Sequence, residues 1–268
     1  MGIKFSVLAS GSTGNAMVVQ SNETQLLIDA GLSGKKIESL MQERGTSCAD
    51  LEGILVTHEH SDHIKGLGAL SRKYKLPIYA NQKTWDALNK SVGKIEDDFR
   101  KVIQTQNQID FGSLKVDSYS ISHDAAEPVG YCFSEDEQKL SLVTDIGYMS
   151  QNVKDKVVDS DVIIIESNHD IEMLRMGRYP WNIKRRILGD LGHLSNEAAG
   201  EALCEIISMK TKRVYLAHLS RDHNLMDLAR LTVENVLNEN EISLKEHKIK
   251  LKDTYFDRAT EWDDLSIS

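Results

Sequence analysis

The sequence predicts a mixed α/β fold, and three observations predict it. Short apolar or alternating runs recur along the chain, separated by segments with helical spacing. The runs fall into two similar blocks, which suits a sandwich of two mixed sheets with helices outside. Several runs end in Asp or His, so polar groups collect at the carboxyl ends of strands. Periodicity taken alone says only that α and β are mixed.

Strands are expected over 3–9, 15–20 and 24–29, and then a helix over about 33–44 begun by Ser33. Strand 53–56 leads into a histidine-rich loop. A helix over about 64–74 stops before Pro77, strand 77–80 follows, and a helix covers about 82–92. The stretch 101–144 is rich in strands, with alternation in Leu114-Lys115-Val116-Asp117-Ser118-Tyr119 and a turn at Asp136. After Asp145 the pattern turns helical, interrupted by Val162-Ile163-Ile164-Ile165. A helix runs from its N-cap Ser195 to about Lys210, then come strand 213–217, a helix over about 225–239 and a last strand near 246–252. The tail from Glu261 to Ser268 reads as frayed. Nothing marks an inserted second domain, so residues 1–268 read as one domain.

At 268 residues the chain can bury a full core without staples. Its hydrophobic content of 40% is ordinary for a globular protein, and no apolar run approaches membrane-spanning length. The first residues lack a signal-peptide pattern. The three cysteines (Cys48, Cys132 and Cys204) are scattered, and Cys132 and Cys204 fit buried thiols. Together these features point to a reducing cytoplasm. A net charge of −9 opposes sequence-blind binding to nucleic acid but leaves room for a local basic patch.

The chemistry concentrates in Thr57-His58-Glu59-His60-Ser61-Asp62-His63, directly after Gly53-Ile54-Leu55-Val56. Of nine histidines in the chain, three fall here, which a merely solvated loop does not explain. Imidazole is the commonest ligand for a borderline metal, and carboxylates add charge. His58 and His60 suit one metal ion, and Asp62 and His63 suit a second.

This spacing resembles the signature of the metallo-β-lactamase fold superfamily, whose remaining motifs are matched in order. Leu26-Leu27-Ile28-Asp29-Ala30-Gly31 gives an early Asp. Ser120-Ile121-Ser122-His123-Asp124 gives a lone His, Leu142-Val143-Thr144-Asp145-Ile146-Gly147 a bridging Asp, and Val214-Tyr215-Leu216-Ala217-His218 a late His. The resemblance implies a four-layer αββα sandwich. It implies one metal on His58, His60, His123 and Asp145, and another on Asp62, His63, Asp145 and His218. Two such cations, about 3.5–4 Å apart, hold a hydroxide as nucleophile and bind the oxygen that gathers charge. Mn²⁺ or Zn²⁺ suits five His and two Asp, with iron as a further candidate. Asp29 is expected either to orient a loop histidine or to serve as a turn residue.

Further motifs bear on the substrate. Ala9-Ser10-Gly11-Ser12-Thr13-Gly14-Asn15 suits a phosphate cradle using Ser10, Ser12 and Asn15, a tight hairpin turn, or both. In Glu166-Ser167-Asn168-His169-Asp170, either Glu166 or His169 is placed to assist proton transfer or grip a phosphate. Gly192-His193-Leu194-Ser195-Asn196 resembles a segment of the superfamily's tRNA 3′-processing nucleases, which gives His193 the role of general acid or phosphate ligand. Between these motifs, residues 175–186 carry five basic residues and no acid, with Tyr179 and Trp181 interleaved. Arg178, Lys184 and Arg185 are candidate contacts to backbone phosphates, and the aromatic rings can stack on bases. The plainer reading is a solvated helix with Trp181 and Ile183 towards the core. Arg221 and Asn224 are weaker candidates for the site's lining, whereas His223 and His247 read as surface or satisfied histidines.

Taken end to end, the motifs resemble the YycJ/WalJ (VicX) branch of the superfamily. That resemblance implies a cytoplasmic 5′→3′ exonuclease on double-stranded DNA, with a part in mismatch repair. The expected partners are duplex DNA ends and repair proteins, without membrane insertion. An exposed strand edge or the 82–92 helix is a candidate homodimer surface. Two rival readings need fewer DNA contacts: a small-molecule hydrolase of a cyclic phosphodiester, thioester or lactone, and a metal-bound regulatory partner of a two-component cell-wall sensor kinase.

Overall fold

A computed structural model describes residues 2–267. Its first half runs β1 (Lys4–Ala9), β2 (Ala16–Gln20), β3 (Gln25–Ile28), α1 (Gly34–Glu43), β4 (Gly53–Leu55), α2 (Ser61–Ile64), α3 (Leu67–Tyr74), β5 (Ile78–Ala80), α4 (Gln82–Leu88) and β6 (Arg100–Val102). The second half runs β7 (Gln108–Phe111), β8 (Leu114–Ser120), β9 (Val129–Glu135), β10 (Gln138–Val143), α5 (Gln151–Val157), β11 (Val162–Glu166), α6 (Ile171–Met176), α7 (Trp181–Ile187), α8 (Asn196–Ile206), β12 (Arg213–Ala217), α9 (Met226–Glu239), β13 (Lys250–Asp253) and β14 (Asp263–Asp264).

Two seven-stranded sheets result, ordered β14-β1-β2-β3-β4-β5-β6 and β13-β12-β11-β10-β9-β8-β7. Each is mixed. β1 to β3 pair antiparallel and β3 to β6 parallel. Likewise β7 to β10 pair antiparallel and β10 to β13 parallel.

Side-chain alternation explains the layers, because successive residues of a strand point to opposite faces. Phe5, Val7, Met17, Val19, Leu26 and Ile28 pack against Val116, Tyr131, Phe133, Leu140 and Ile164 between the sheets. The opposite face of the first sheet (Leu8, Val18, Leu27, Ile54) packs under Ile37, Leu40, Leu70, Trp85 and Leu88 of α1, α3 and α4. The opposite face of the second sheet (Ile163, Ile165, Val214, Leu216) packs under Val153, Leu203, Val233 and Leu237 of α5, α8 and α9. The order is therefore helix, sheet, sheet, helix, the expected αββα sandwich. β11 is apolar on both faces because both are covered.

Ser33 and Ser195 cap α1 and α8 as expected, accepting from the backbone N–H groups of Lys36 and Ala198. The tail departs from expectation. Asp263 and Asp264 pair with β1, and Asp263 is buried against the Arg213 guanidinium at 3.0 Å. A paired carboxylate and the buried Leu265 hold this segment down; Ser268 lies outside the described residues. The helix expected over 82–92 stops at Leu88, and the last strand starts only at Lys250.

Candidate metal centre and active site

Every predicted ligand sits at or just beyond the carboxyl end of a strand, all opening on one rim of the sandwich. Asp29 follows β3, His58 to His63 follow β4, and His123 follows β8. Asp145 follows β10, Glu166 ends β11, and His218 follows β12. Asp29, Asp145 and His218 turn the chain through left-handed backbone, with φ of 58°, 56° and 55°. Asp and His tolerate that region better than most residues, and it persists only where the surroundings hold it. Gly31 has no room for a side chain, because a Cβ there would stand 1.6 Å from the Asp62 carbonyl oxygen.

Three imidazole nitrogens converge first. His58 Nε2 lies 3.1 Å from His60 Nδ1, which lies 3.3 Å from His123 Nε2. A second group gathers Asp62, His63, Asp145 and His218. In it, His63 Nε2 is 3.3 Å from Asp145 Oδ2, and His218 Nε2 is 3.4 Å from Asp145 Oδ1. Asp145 belongs to this second group and reaches the first at 4.0 Å from His123 Nε2, the position expected of a bridge.

The outer nitrogens of these rings are tied down. His63 Nδ1 donates to Asp29 at 2.7 Å, and Asp29 also accepts the backbone N–H and the hydroxyl of Thr57, each at 2.8 Å. His123 Nδ1 donates to the Gly192 carbonyl at 3.1 Å, and His218 Nδ1 to Glu166 at 2.9 Å. Such outer partners fix the tautomer, leaving Nε2 as a lone-pair donor.

The electrostatics follow from crowding. Burial and the neighbouring His63 push His58 well below the usual imidazole range. His63 is pushed well above it: burial works against its charge, but Asp145 and Asp29 outweigh burial. His218 rises to about 10 against burial, driven by Asp145, Asp62 and Glu166. Asp145 is held well below the carboxylate range despite burial, by His218 and His63.

The donor set fits divalent cations. Asp145 Oδ2 and His218 Nε2 are buried without a hydrogen-bond partner, an arrangement that a cation satisfies. The three imidazole nitrogens of the first group lie within 4.8 Å of one another, a spacing that suits a shared cation.

Several other predicted residues gather here with different parts. Glu166 is fully buried. One carboxylate oxygen accepts from His218 and His193, and the other accepts the backbone N–H groups of Ile146 and Leu194 at 3.0 Å. Its acidity is raised, to a pKa of about 2, because His193 and His218 outweigh burial. The expectation that Glu166 grips phosphate or moves protons is corrected: with both oxygens occupied and no exposure, it positions His193 and His218. His193 stays partly exposed, donates Nδ1 to Glu166 at 2.8 Å and stacks near both His123 and His218. His169 is buried and belongs to none of the donor groups found among the described residues.

The Ser10–Asn15 loop is both a turn and a wall of the site. Asn15 closes it, accepting from Gly11 N–H at 2.9 Å, and its amide approaches His63 Nε2 at 3.1 Å. Ser10 Oγ accepts the His218 N–H at 2.8 Å, and Ser12 is exposed. In the basic segment Trp181 is 59% exposed, so it does not face the core. Arg178 and Arg185 are also exposed. Lys184 is corrected: it is buried, and Nζ donates to the carbonyls of Arg175 at 2.6 Å and Gly177 at 2.7 Å, so it staples α6 to α7 rather than reaching phosphate. His223 is buried beneath Tyr179, not on the surface.

Sequence reasoning missed Thr57, Asp124 and Asn168. Asp124 lies 3.5 Å from His123 Nε2 and binds Arg186, while Asn168 donates to the His218 carbonyl at 2.8 Å. Thr57 and Asp124 each adjoin a predicted ligand in sequence, the only signal they gave.

Residues 24–219 match the family model described as Beta-lactamase superfamily domain. Exodeoxyribonuclease YycJ of Bacillus anthracis is 53% identical over 239 residues, 89% of this chain and 90% of that protein. Exodeoxyribonuclease WalJ of Streptococcus pneumoniae serotype 2 is 44% identical over 262 residues, 97% of each chain. Among solved structures, the metallo-β-lactamase fold protein YhfI of Bacillus subtilis superposes with a TM-score of 0.72 at 15% identity, covering 97% of this chain and 99% of that one. The short form of human tRNase Z superposes with a TM-score of 0.61 at 17% identity, covering 81% and 93%. At these identities the two structures share the fold.

Proposed function

Because this chain belongs to the metallo-β-lactamase superfamily and, within it, to the YycJ/WalJ family, we propose that it is a two-metal exodeoxyribonuclease. It is a metal-dependent hydrolase, and its substrate in this reading is double-stranded DNA, digested 5′→3′ from an end. The observation that carries the reading is the pair of donor groups meeting at Asp145. Two divalent cations held there, Mn²⁺ or Zn²⁺, would supply Lewis acidity and the activation of water.

The chain's own residues do the rest. His58, His60 and His123 would hold one ion, and Asp62, His63, Asp145 and His218 would hold the other. Asp29 and Glu166 fix the rings that must not turn. His193, held through Nδ1 by Glu166, keeps its other nitrogen for the substrate, where it protonates the departing oxygen. Arg178 and Arg185 neutralise flanking phosphates, and the Ser10–Asn15 loop borders the site where Ser10 meets His218 and Asn15 meets His63. Support for DNA comes from the relatives' activity and from the exposed Arg178 and Arg185, on the segment whose Arg186 binds Asp124 next to His123, in a chain of net charge −9. We place the enzyme in the cytoplasm as one hydrolase domain over residues 1–268, acting in mismatch repair with repair proteins as partners, and with a homodimer open to test. No helix among the described residues is long and apolar enough to cross a membrane.

The test is digestion of duplex DNA labelled at either end by Mn²⁺-loaded protein, beside bis-p-nitrophenyl phosphate and an acyl thioester. Early release of nucleotides from the 5′ end, abolished in His60→Ala, is the expected result. Thioester turnover with no attack on DNA contradicts it and favours a small-molecule hydrolase.

A further inference from the structure

A pocket of about 410 Å³ opens beside the metal centre, lined among others by Ser10, Leu219, Arg221, Leu225, Tyr255 and Phe256. It shares a wall with the site: Ser10 Oγ holds the His218 backbone N–H, and Leu219 follows that ligand directly. Phe256 packs near the Gly11 turn, since a Cβ on Gly11 would meet the Phe256 Cβ at 3.5 Å.

The lining is unusual for a rim of carboxylates and imidazoles. Phe256 is 41% exposed and Leu225 62% exposed, which leaves an apolar surface open to water beside a hydrolytic centre. The Arg221 guanidinium lies over the Phe256 ring, 4.4 Å from its centroid, and no carboxylate neutralises it among the described residues. Stacking holds that cation flat and pre-positioned. Most of the polar side chains here are committed inward: Ser10 to His218, Asn224 to Asn196 and Ser167, Thr254 to the Leu216 carbonyl. What remains for a ligand is an apolar face, the part of the Phe256 ring that Arg221 leaves open to solvent and one unpaired guanidinium.

We propose that this pocket is a nucleobase subsite: one base of the substrate strand, next to the scissile phosphate, stacks on Phe256 while Arg221 contacts the adjoining phosphate. The inference rests on the nuclease reading and adds to it the part of the substrate that is gripped. The pocket falls within the range of small-molecule sites, so it takes one nucleotide and not a duplex. Its lining offers a ring face and few base-edge partners, so recognition is by stacking and tolerates any base. The base must therefore leave the duplex, and Phe256 holds the end of one strand apart.

The experiment uses metal-loaded enzyme and duplexes carrying an abasic residue at each of the first four nucleotides in turn. With wild-type enzyme, an abasic residue at one position lowers kcat/KM roughly 5- to 150-fold relative to intact DNA, the range expected for losing one base stack. In Phe256→Ala the ratio of intact to abasic turnover at that position collapses towards one. Phe256→Trp restores it, and Phe256→Leu, which keeps apolar bulk without a ring, does not. Equal cleavage of intact and abasic DNA by wild-type enzyme overturns the subsite and leaves the nuclease reading standing. So does a Phe256→Ala enzyme that loses activity on both while keeping the wild-type ratio. Wild-type enzyme that cleaves neither DNA while hydrolysing bis-p-nitrophenyl phosphate overturns both.

Discussion

Glu166 illustrates how much of this chemistry is settled one residue at a time. Its carboxylate spans His193 and His218, so it governs the proposed metal ligand and the proposed acid together. Glu166→Gln is expected to lower metal affinity about 10- to 100-fold, measured by competition with a chelating dye, because an amide holds the His218 tautomer poorly. His193→Ala should keep its metal and lose about 10²- to 10⁴-fold in kcat on DNA. Retained activity in that variant removes His193 from the mechanism. The pKa directions give a further expectation. Without metal, His63 sits well above the usual range and His218 at about 10, so both rings are protonated at pH 7. A metal ion binds only the neutral ring, so binding must release protons, and affinity must fall as pH falls. Calorimetric metal titration at pH 7 in two buffers of different protonation enthalpy should report net proton release; none would contradict these charge states. The side chains that converge here were legible from sequence because a histidine run after an apolar strand is rare. Glu166's true part was not, since its partners come from residues 146, 193, 194 and 218, distant in the chain.

At the scale of elements, the α6–α7 hairpin separates what spacing reveals from what packing decides. A run of basic residues reads as a cationic face, yet its one lysine is spent inside, capping carbonyls of the preceding helix and turn. Arg186 is tied to Asp124, and Arg175 to Glu172 at 2.8 Å. Arg178 and Arg185 remain, so the double variant Arg178→Ala/Arg185→Ala should reduce the slope of log affinity for duplex DNA against log salt by about 2. An unchanged slope excludes this hairpin from the DNA path. Strands were read more faithfully than helix ends, because alternation is a property of the strand itself. Helix ends such as Leu88 and the pairing of Asp263 with Arg213 depend on contacts from elsewhere, which no local pattern encodes.

For the whole molecule, the decisive feature is that the two halves share one site. The first sheet's loops bring His58, His60, Asp62 and His63; the second brings His123, Asp145, Glu166 and His218. Metal should therefore bind the assembled sandwich and not either half. Free metal at about 100 times its Kd should stabilise the fold by about 2.7 kcal/mol for each ion bound, read as a rise in Tm that a chelator reverses. The most direct measurement is the metal content of protein stripped by chelator and dialysed against Mn²⁺ or Zn²⁺, counted per chain by elemental analysis. Two ions per chain in the wild-type protein, falling to one in His63→Ala, is the predicted result; a protein that retains no ion under those conditions contradicts the account.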